Sequence, residues 1–307
     1  MKTTMRIILP VLLGTFTVGS ANAATCSCAG VPLLNSITTS SPQSENWYFS
    51  TTYEYHKISD LYSGSDEVND ETHRDRVSQS TLFELGYGIN ENWSVATLLS
   101  ATKHQRAIGN NSEVDASGVG DGVVLFKYTG PRISVYSRWQ YALGAGVKVP
   151  LGEDSAQHNG IDLAEDMQPS SGAYSGLLWG YLAHSFSAQA NWQVYSSINY
   201  ASNGENDRDY TFGNELNLAV GATYQDDSPW GYQAAVRYRT TSADQRAGVD
   251  IPNTGGYWVT FLPTLAYSFD ETWSLSTSAR IPLYRNLDGE LQFTTSWAAS
   301  MTLNYVF

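Results

Sequence analysis

Residues Ile133–Val149 read ISVYSRWQYALGAGVKV, and their two interleaved rows differ in kind. The odd positions are Ile, Val, Ser, Trp, Tyr, Leu, Ala, Val and Val, so eight of nine are apolar in a chain whose hydrophobic content is 42%. The even positions are Ser, Tyr, Arg, Gln, Ala, Gly, Gly and Lys. A period of two means an extended strand with one apolar face. Strands in soluble sheets run to about 5–6 residues. A strand that crosses a bilayer at a tilt needs roughly 9–11 and often continues beyond it. Seventeen alternating residues therefore predict a membrane-crossing strand rather than one half-buried in a soluble core.

The pattern recurs along the chain. Apolar rows run through Trp47, Phe49, Tyr53 and Tyr55, through Phe83, Leu85, Tyr87 and Ile89, and through Trp93, Val95 and Leu99. Further rows contain Trp192, Val194, Ile198 and Tyr200, then Trp230, Tyr232, Val236 and Tyr238, then Trp273, Leu275 and Ile281. Trp and Tyr sit at the row ends, where a bilayer's interfaces select them. Tight, turn-rich connections at Ile89–Trp93, Tyr128–Arg132, Ala183–Ser187, Gln225–Trp230 and Ser268–Trp273 alternate with longer polar segments. The long segments lie near 57–76, 102–117, 151–170, 201–209, 241–255 and 286–290. Five short turns and six long loops join twelve strands. The expected fold is all-β, a transmembrane antiparallel β-barrel with short periplasmic turns and long extracellular loops. A soluble β-sandwich would lack this asymmetry between the two ends. The final SMTLNYVF alternates to the last residue, as a strand does when barrel closure pairs it with the first.

The first 23 residues carry Lys2 and Arg6, a short apolar stretch from Ile7 to Val18 and the small-residue site ANA at 21–23. They read as a secretory signal peptide, cleaved after Ala23. The stretch is too short for a spanning helix. Cleavage would move the formal charge from -13 to -15. So acidic a surface disfavours nucleic acid as a partner. The organisation expected is a signal peptide at 1–23, an N-terminal periplasmic or plug segment at 24–46, and an outer-membrane barrel at 47–307.

The charges on the strands matter most. If the apolar rows face lipid, Arg138, Lys148, Arg237, Arg239 and Arg280 point into the lumen, with Lys127 and with Glu54, Glu84 and Glu215. A charge on the lipid face costs about 2–4 kcal/mol at mid-membrane, which enforces this placement. Such charges can line an aqueous path, or can pair across a narrow lumen as structural bridges. The long loops hold an acidic excess, including Asp60, Asp66, Glu67, Asp70, Glu165 and Asp166. No spacing matches a defined calcium loop, so these read as a solvated surface beside cation-bridged lipid. Cys26 and Cys28 in TCSCAG leave a strained disulfide, an interchain link or a soft-metal site open. None of the five His has a Ser two residues on, as a barrel phospholipase would want, and no enzyme is expected.

The stretch ASGVGDGVVLFKYTG, Ala116–Gly130, resembles a signature of outer-membrane proteins of the meta-pathway of phenol degradation. Gly118, Gly120, Asp121, Lys127 and Tyr128 match its Gly-x-Gly-Asp and Lys-Tyr elements. GAGVKVPLGED at Gly144–Asp154 is similar to the next strand and loop of that family. The resemblance implies a transport-type role in a Gram-negative outer membrane, sometimes with hydrophobic or aromatic solutes. It supplies no agreed ligand residues. The glycines leave room around Asp121 for a sharp strand entry or for close approach of the N-terminal segment. The expected function is passive, porin-like passage of small solutes without a cofactor. The alternatives are a blocked barrel that binds or serves a structural role, and a surface enzyme. Expected partners are outer-membrane lipid, a small-molecule solute and the barrel-insertion machinery, which would recognise the C-terminal Phe307.

Overall fold

The structure is a computed structural model that describes residues 24–25, 45–109, 112–130, 138–186 and 191–307. The expected signal peptide at 1–23, Cys26, Cys28 and nearly all of the 24–46 segment lie outside the described residues, as do the first residues of the 133–149 row.

Twelve long strands form the wall. They are β1 (Trp47–Ser63), β2 (Arg74–Gly88), β3 (Trp93–Ile108), β4 (Ser112–Thr129), β5 (Trp139–Pro150) and β6 (Ser175–Ser185), followed by β7 (Trp192–Asn203), β8 (Glu215–Gln225), β9 (Trp230–Thr241), β10 (Gly256–Ser268), β11 (Trp273–Leu287) and β12 (Gln292–Val306). Each pairs antiparallel with its neighbours in sequence, and β12 pairs with β1, so the sheet closes. The closing ladder reaches the chain end, where Trp47 and Phe307 exchange backbone hydrogen bonds of 2.8 and 2.9 Å.

The alternation becomes an inside and an outside. Phe83, Leu85, Leu99, Leu143, Leu178, Ile198, Val220 and Met301 are exposed on the wall, while Leu82, Leu98, Leu125, Leu177 and Trp179 are buried within it. Since apolar side chains gain nothing from facing water, the exposed rows mark the lipid face. Its periplasmic edge is a girdle of cross-strand pairs. Trp47 meets Tyr87, Trp93 meets Tyr128, Trp192 meets Tyr224, Trp230 meets Tyr267 and Trp273 meets Tyr305, with ring centroids 4.4–5.0 Å apart. The sixth pair is Trp139 with His184 at 4.5 Å. Every odd-numbered strand opens on Trp, and each Trp lies directly opposite its partner in the ladder.

Two expected loops prove shorter. β1 and β2 extend to Ser63 and back from Arg74, and β3 and β4 continue to Ile108 and from Ser112. Past the bilayer the outward row has no lipid to face and turns polar, as at Lys103 and Gln105, so composition reads as loop where the backbone remains strand.

Between β11 and β12 pairing stops while both strands continue. β11 pairs with β10 as far as Leu287, but its ladder with β12 ends at Arg280–Ala298. Beyond that point Ala24–Thr25 pairs parallel with Gln292–Phe293 of β12. The Arg285 guanidinium crosses the seam. Its Nη2 donates to the Thr295 carbonyl at 2.7 Å and its Nη1 reaches Asp60 on β1 at 2.8 Å.

Candidate functional site

The β5–β6 loop (residues 151–174) folds into the barrel, and a single strand irregularity positions it. In the β3–β4 ladder Leu99 faces Gly122 but Ala101 faces Val119, so Ser100 opposes both Gly120 and Asp121. This β-bulge inserts one residue and reverses the facing of β4. Before it Ala116 and Gly120 point inward; after it Asp121, Val123, Leu125 and Lys127 do. The Gly-x-Gly-Asp motif thus aims a carboxylate into the lumen.

Asp121 holds the loop. Its Oδ1 accepts from Ser170 Oγ at 2.6 Å and from the Ser171 backbone N–H at 3.0 Å. Its Oδ2 accepts from Ser171 Oγ at 2.7 Å and lies 3.0 Å from Lys148 Nζ, itself 2.7 Å from Ser171 Oγ. The glycines make the space. A Cβ on Gly120 would stand 2.3 Å from Ser100 Oγ and 3.1 Å from the Pro169 carbonyl, and one on Gly118 would stand 3.2 Å from Pro169. Among the described residues the segment that approaches this motif is therefore the β5–β6 loop; the N-terminal segment lies almost wholly outside them.

Further in, the loop forms one turn of 3₁₀ helix at Glu165–Met167, with Met167 only 1% exposed. Both acidic residues of this turn are buried and each is held by two arginines. Asp166 pairs with Arg76 of β2 and with Arg106 of β3 at 2.8 Å. Glu165 pairs with Arg208 of the β7–β8 loop and with Arg246 of the β9–β10 loop at 3.1 Å. These two carboxylates do not belong to the solvated surface expected of the long loops. Burial, with Asp154 nearby, outweighs Arg208 and Arg246 and pushes the Glu165 carboxyl above its ordinary range.

The sequence-selected lumen charges mostly face inward and pair with one another. Glu54 accepts from Arg280 at 2.5 Å and lies 3.3 Å from His56 Nε2. Glu215 accepts from Arg239 at 2.7 Å, and the Arg239 guanidinium lies 4.6 Å from the Trp258 ring centroid. Arg237 is within electrostatic reach of Glu54, Glu215 and Arg280. Glu84 accepts from Tyr48, and Lys127 sits 5.4 Å from the Trp179 ring centroid. Arg138 is a correction: it precedes β5, is exposed at the periplasmic rim, and donates to the Phe186 carbonyl at 2.8 Å. Its parity is right but its depth is not, because β5 starts only at Trp139. Among the described residues no three of His, Cys, Asp and Glu are grouped to hold a metal.

Sequence reasoning missed Arg76, Arg106, Arg208 and Arg246. A signal existed for Arg76, which continues the inward row of Glu84, Leu82, Ser80 and Ser78. The loop arginines have no periodicity to betray them.

Three zones succeed one another down the lumen. On the extracellular side is a cavity of about 940 Å³ between the arginines and apolar walls. Below it stands the loop constriction. Towards the periplasm the inward rings of Trp179, Tyr181 and Tyr195 stack at 6.1 and 5.9 Å, beside the buried cluster of Leu82, Leu98, Leu125 and Leu177.

A closed twelve-stranded wall with a lipid-facing apolar band, an aromatic girdle and an inward-folded loop defines a transmembrane β-barrel of the outer-membrane kind. The chain belongs to the family described as "Putative MetA-pathway of phenol degradation", whose model matches residues 66–284. Its fold is similar to that of the COG4313 outer membrane channel from Pseudomonas putida F1, with 13% identity, a TM-score of 0.72, and coverage of 87% of this chain and 97% of that one. Weaker likenesses include the CymD monoaromatic hydrocarbon channel, with 11% identity, a TM-score of 0.45 and coverage of 86% and 89%. The KdgM porin is another, with 8% identity, a TM-score of 0.44 and coverage of 84% and 99%. Among curated proteins no sequence matches this one.

Proposed function

We propose that the protein is a passive outer-membrane channel for small apolar or aromatic solutes, and not an enzyme. The observation that carries this reading is the closed barrel whose lumen the β5–β6 loop narrows, with the apolar cluster of Leu82, Leu98, Leu125, Leu177 and Trp179 beneath it. Of the three stacked rings Tyr181 alone is part exposed, and it offers a passing ring an offset contact weak enough to leave. The paired charges keep the lumen wetted, and the loop narrows it so that bulky solutes are refused. Family membership supports the same reading.

The test is conductance of the refolded protein in a planar bilayer, with a second variant in which residues 163–170 are replaced by a short Gly-Ser bridge. Expected is a small current in the parent and one several-fold larger in the variant. A variant as silent as the parent, both correctly inserted, would sink the channel reading and favour a blocked barrel with a binding role.

A further inference from the structure

We propose that the amino end of the mature chain lies at the outer surface of the cell, laid as an added strand on the open edge of β12. The starting point is the parallel pairing of Ala24 with Gln292 and of Thr25 with Phe293. Both other ladders of β12 are antiparallel. Direction follows from this difference. β12 descends from Gln292 to Val306, and Phe307 then meets Trp47 at the periplasmic rim. A strand parallel to it descends too, so Ala24 is the upper end of the pair.

Height follows from the register. Gln292 also pairs with Tyr62, fifteen residues up β1 from Trp47. At about 3.3 Å per residue the two levels stand roughly 50 Å apart along the strand. Ala24 is thus level with the extracellular end of β1. The expected cleavage after Ala23 makes Ala24 the first residue, and its free amine then points away from the membrane. The wall itself begins and ends at the periplasmic rim, so the mature amino terminus and the start of the wall lie on opposite sides.

The open edge is a second observation. The β11 ladder leaves β12 at Arg280–Ala298, and above it Ile281 and Leu283 still carry the exposed, lipid-facing row of β11. The gap therefore starts within the membrane, where a bare strand edge would leave main-chain groups without partners. Yet Gln292 and Thr294 are fully buried. Something covers this edge, and the main chain that pairs with it on the β11 side is that of Ala24 and Thr25.

Chain length permits the arrangement. Thr25 is twenty residues before Glu45, whose N–H donates to the Gly88 carbonyl at the periplasmic rim at 2.8 Å. At about 3.3–3.6 Å per residue, twenty residues reach roughly 70 Å, more than the span between the two levels.

The experiment is a cross-link in outer membranes. With Cys26 and Cys28 replaced by Ser, Thr25→Cys is combined either with Phe293→Cys or with Asn304→Cys, near the periplasmic end of β12. After oxidation the linked peptides are read by mass spectrometry, and heat-dependent gel mobility checks that each barrel is folded. The link to position 293 should be at least ten-fold more abundant than the link to 304. A preference for 304, or no link to either, would overturn the proposal. A dimer through Phe293→Cys would overturn it too, because the edge would then belong to a second copy. A second measurement leaves the wall untouched. An epitope is inserted directly after Ala23, and antibody binding is compared on intact and permeabilised cells. The same epitope at Gly248 in the β9–β10 loop and at Asp226 in the β8–β9 turn gives the outer and the periplasmic reference. Binding to intact cells should match the loop reference. Binding only after permeabilisation, as at the turn, would overturn the proposal. None of these readings depends on whether the lumen conducts.

Discussion

One carboxylate, Asp121, connects the wall to its lumen. It is 3% exposed and satisfies two serines and a lysine from elements that lie apart in sequence. Asp121→Ala leaves the Lys148 ammonium buried without its counter-charge, and breaking a buried pair in this way costs about 3–5 kcal/mol. The expected result is a barrel that still closes but whose β5–β6 loop is cut quickly by added protease and whose current is larger and noisier. The sequence singles out Asp121 by its motif. What it holds is not legible there, because Ser170 and Ser171 are about fifty residues away and nothing local announces them. Asp70 shows a different single-residue balance. Burial works to raise its carboxyl pKa, but bonds from the Arg74 side chain and backbone and from Thr72 outweigh it and hold the group well below the ordinary range. For a depressed carboxyl the stabilisation is complete above the unfolded value near 3.8 and fades as pH falls through the folded one. A carbon-detected NMR titration should find Asp70 still ionised where ordinary carboxylates have protonated.

Among elements, strands are the most readable, since lipid on one side and lumen on the other force a period of two. Readability fails where one of those solvents ends. Above the bilayer both rows are polar, so 57–63 and 102–108 read as loop, and the arginines of that zone escape notice. The bulge at Gly120–Asp121 is equally hidden, because a reversal of parity within a glycine-rich run leaves no apolar row to trace. The girdle supplies an internal comparison. Five Trp residues face Tyr across the ladder and the sixth, Trp139, faces His184, whose Nδ1 is buried without a partner among the described residues. His184→Tyr should restore the repeated pair and raise stability by about 0.5–1.5 kcal/mol. Urea unfolding from lipid vesicles would register this as a higher midpoint at unchanged slope.

At the scale of the whole molecule, the closed barrel and its orientation are legible because they rest on counts of turns and loops, which tolerate errors of several residues. The lumen's filling is not, because it depends on one loop turning inward rather than outward. Closure itself is a backbone matter. Trp47 and Phe307 are joined through main-chain atoms, while the Phe307 ring is exposed and stacks at 5.1 Å on Tyr305. Phe307→Ala should therefore refold in vitro with the parent's yield. If the insertion machinery reads that ring, the same variant should accumulate poorly in the outer membrane of cells, as a quantitative blot of membrane fractions would show. Equal abundance in cells would remove Phe307 as a recognition point.

The seam between β11 and β12 gives the wall a genetic property that the rest of it lacks. A ladder bond belongs to the main chain, and any residue but proline supplies it, so a point substitution scarcely alters the wall where the ladders run unbroken. Above Arg280–Ala298 the two strands share no ladder, and side chains do much of the joining: the Arg285 guanidinium reaches Thr295 and Asp60, and Trp258 Nε1 donates to Thr294 Oγ1 at 2.9 Å, beside one main-chain bond from Leu287 to Gly64 at 3.0 Å. There part of the strength of the enclosure is written in the codons of two side chains. A single base change can slacken this side of the barrel, while its opposite side would need rebuilding.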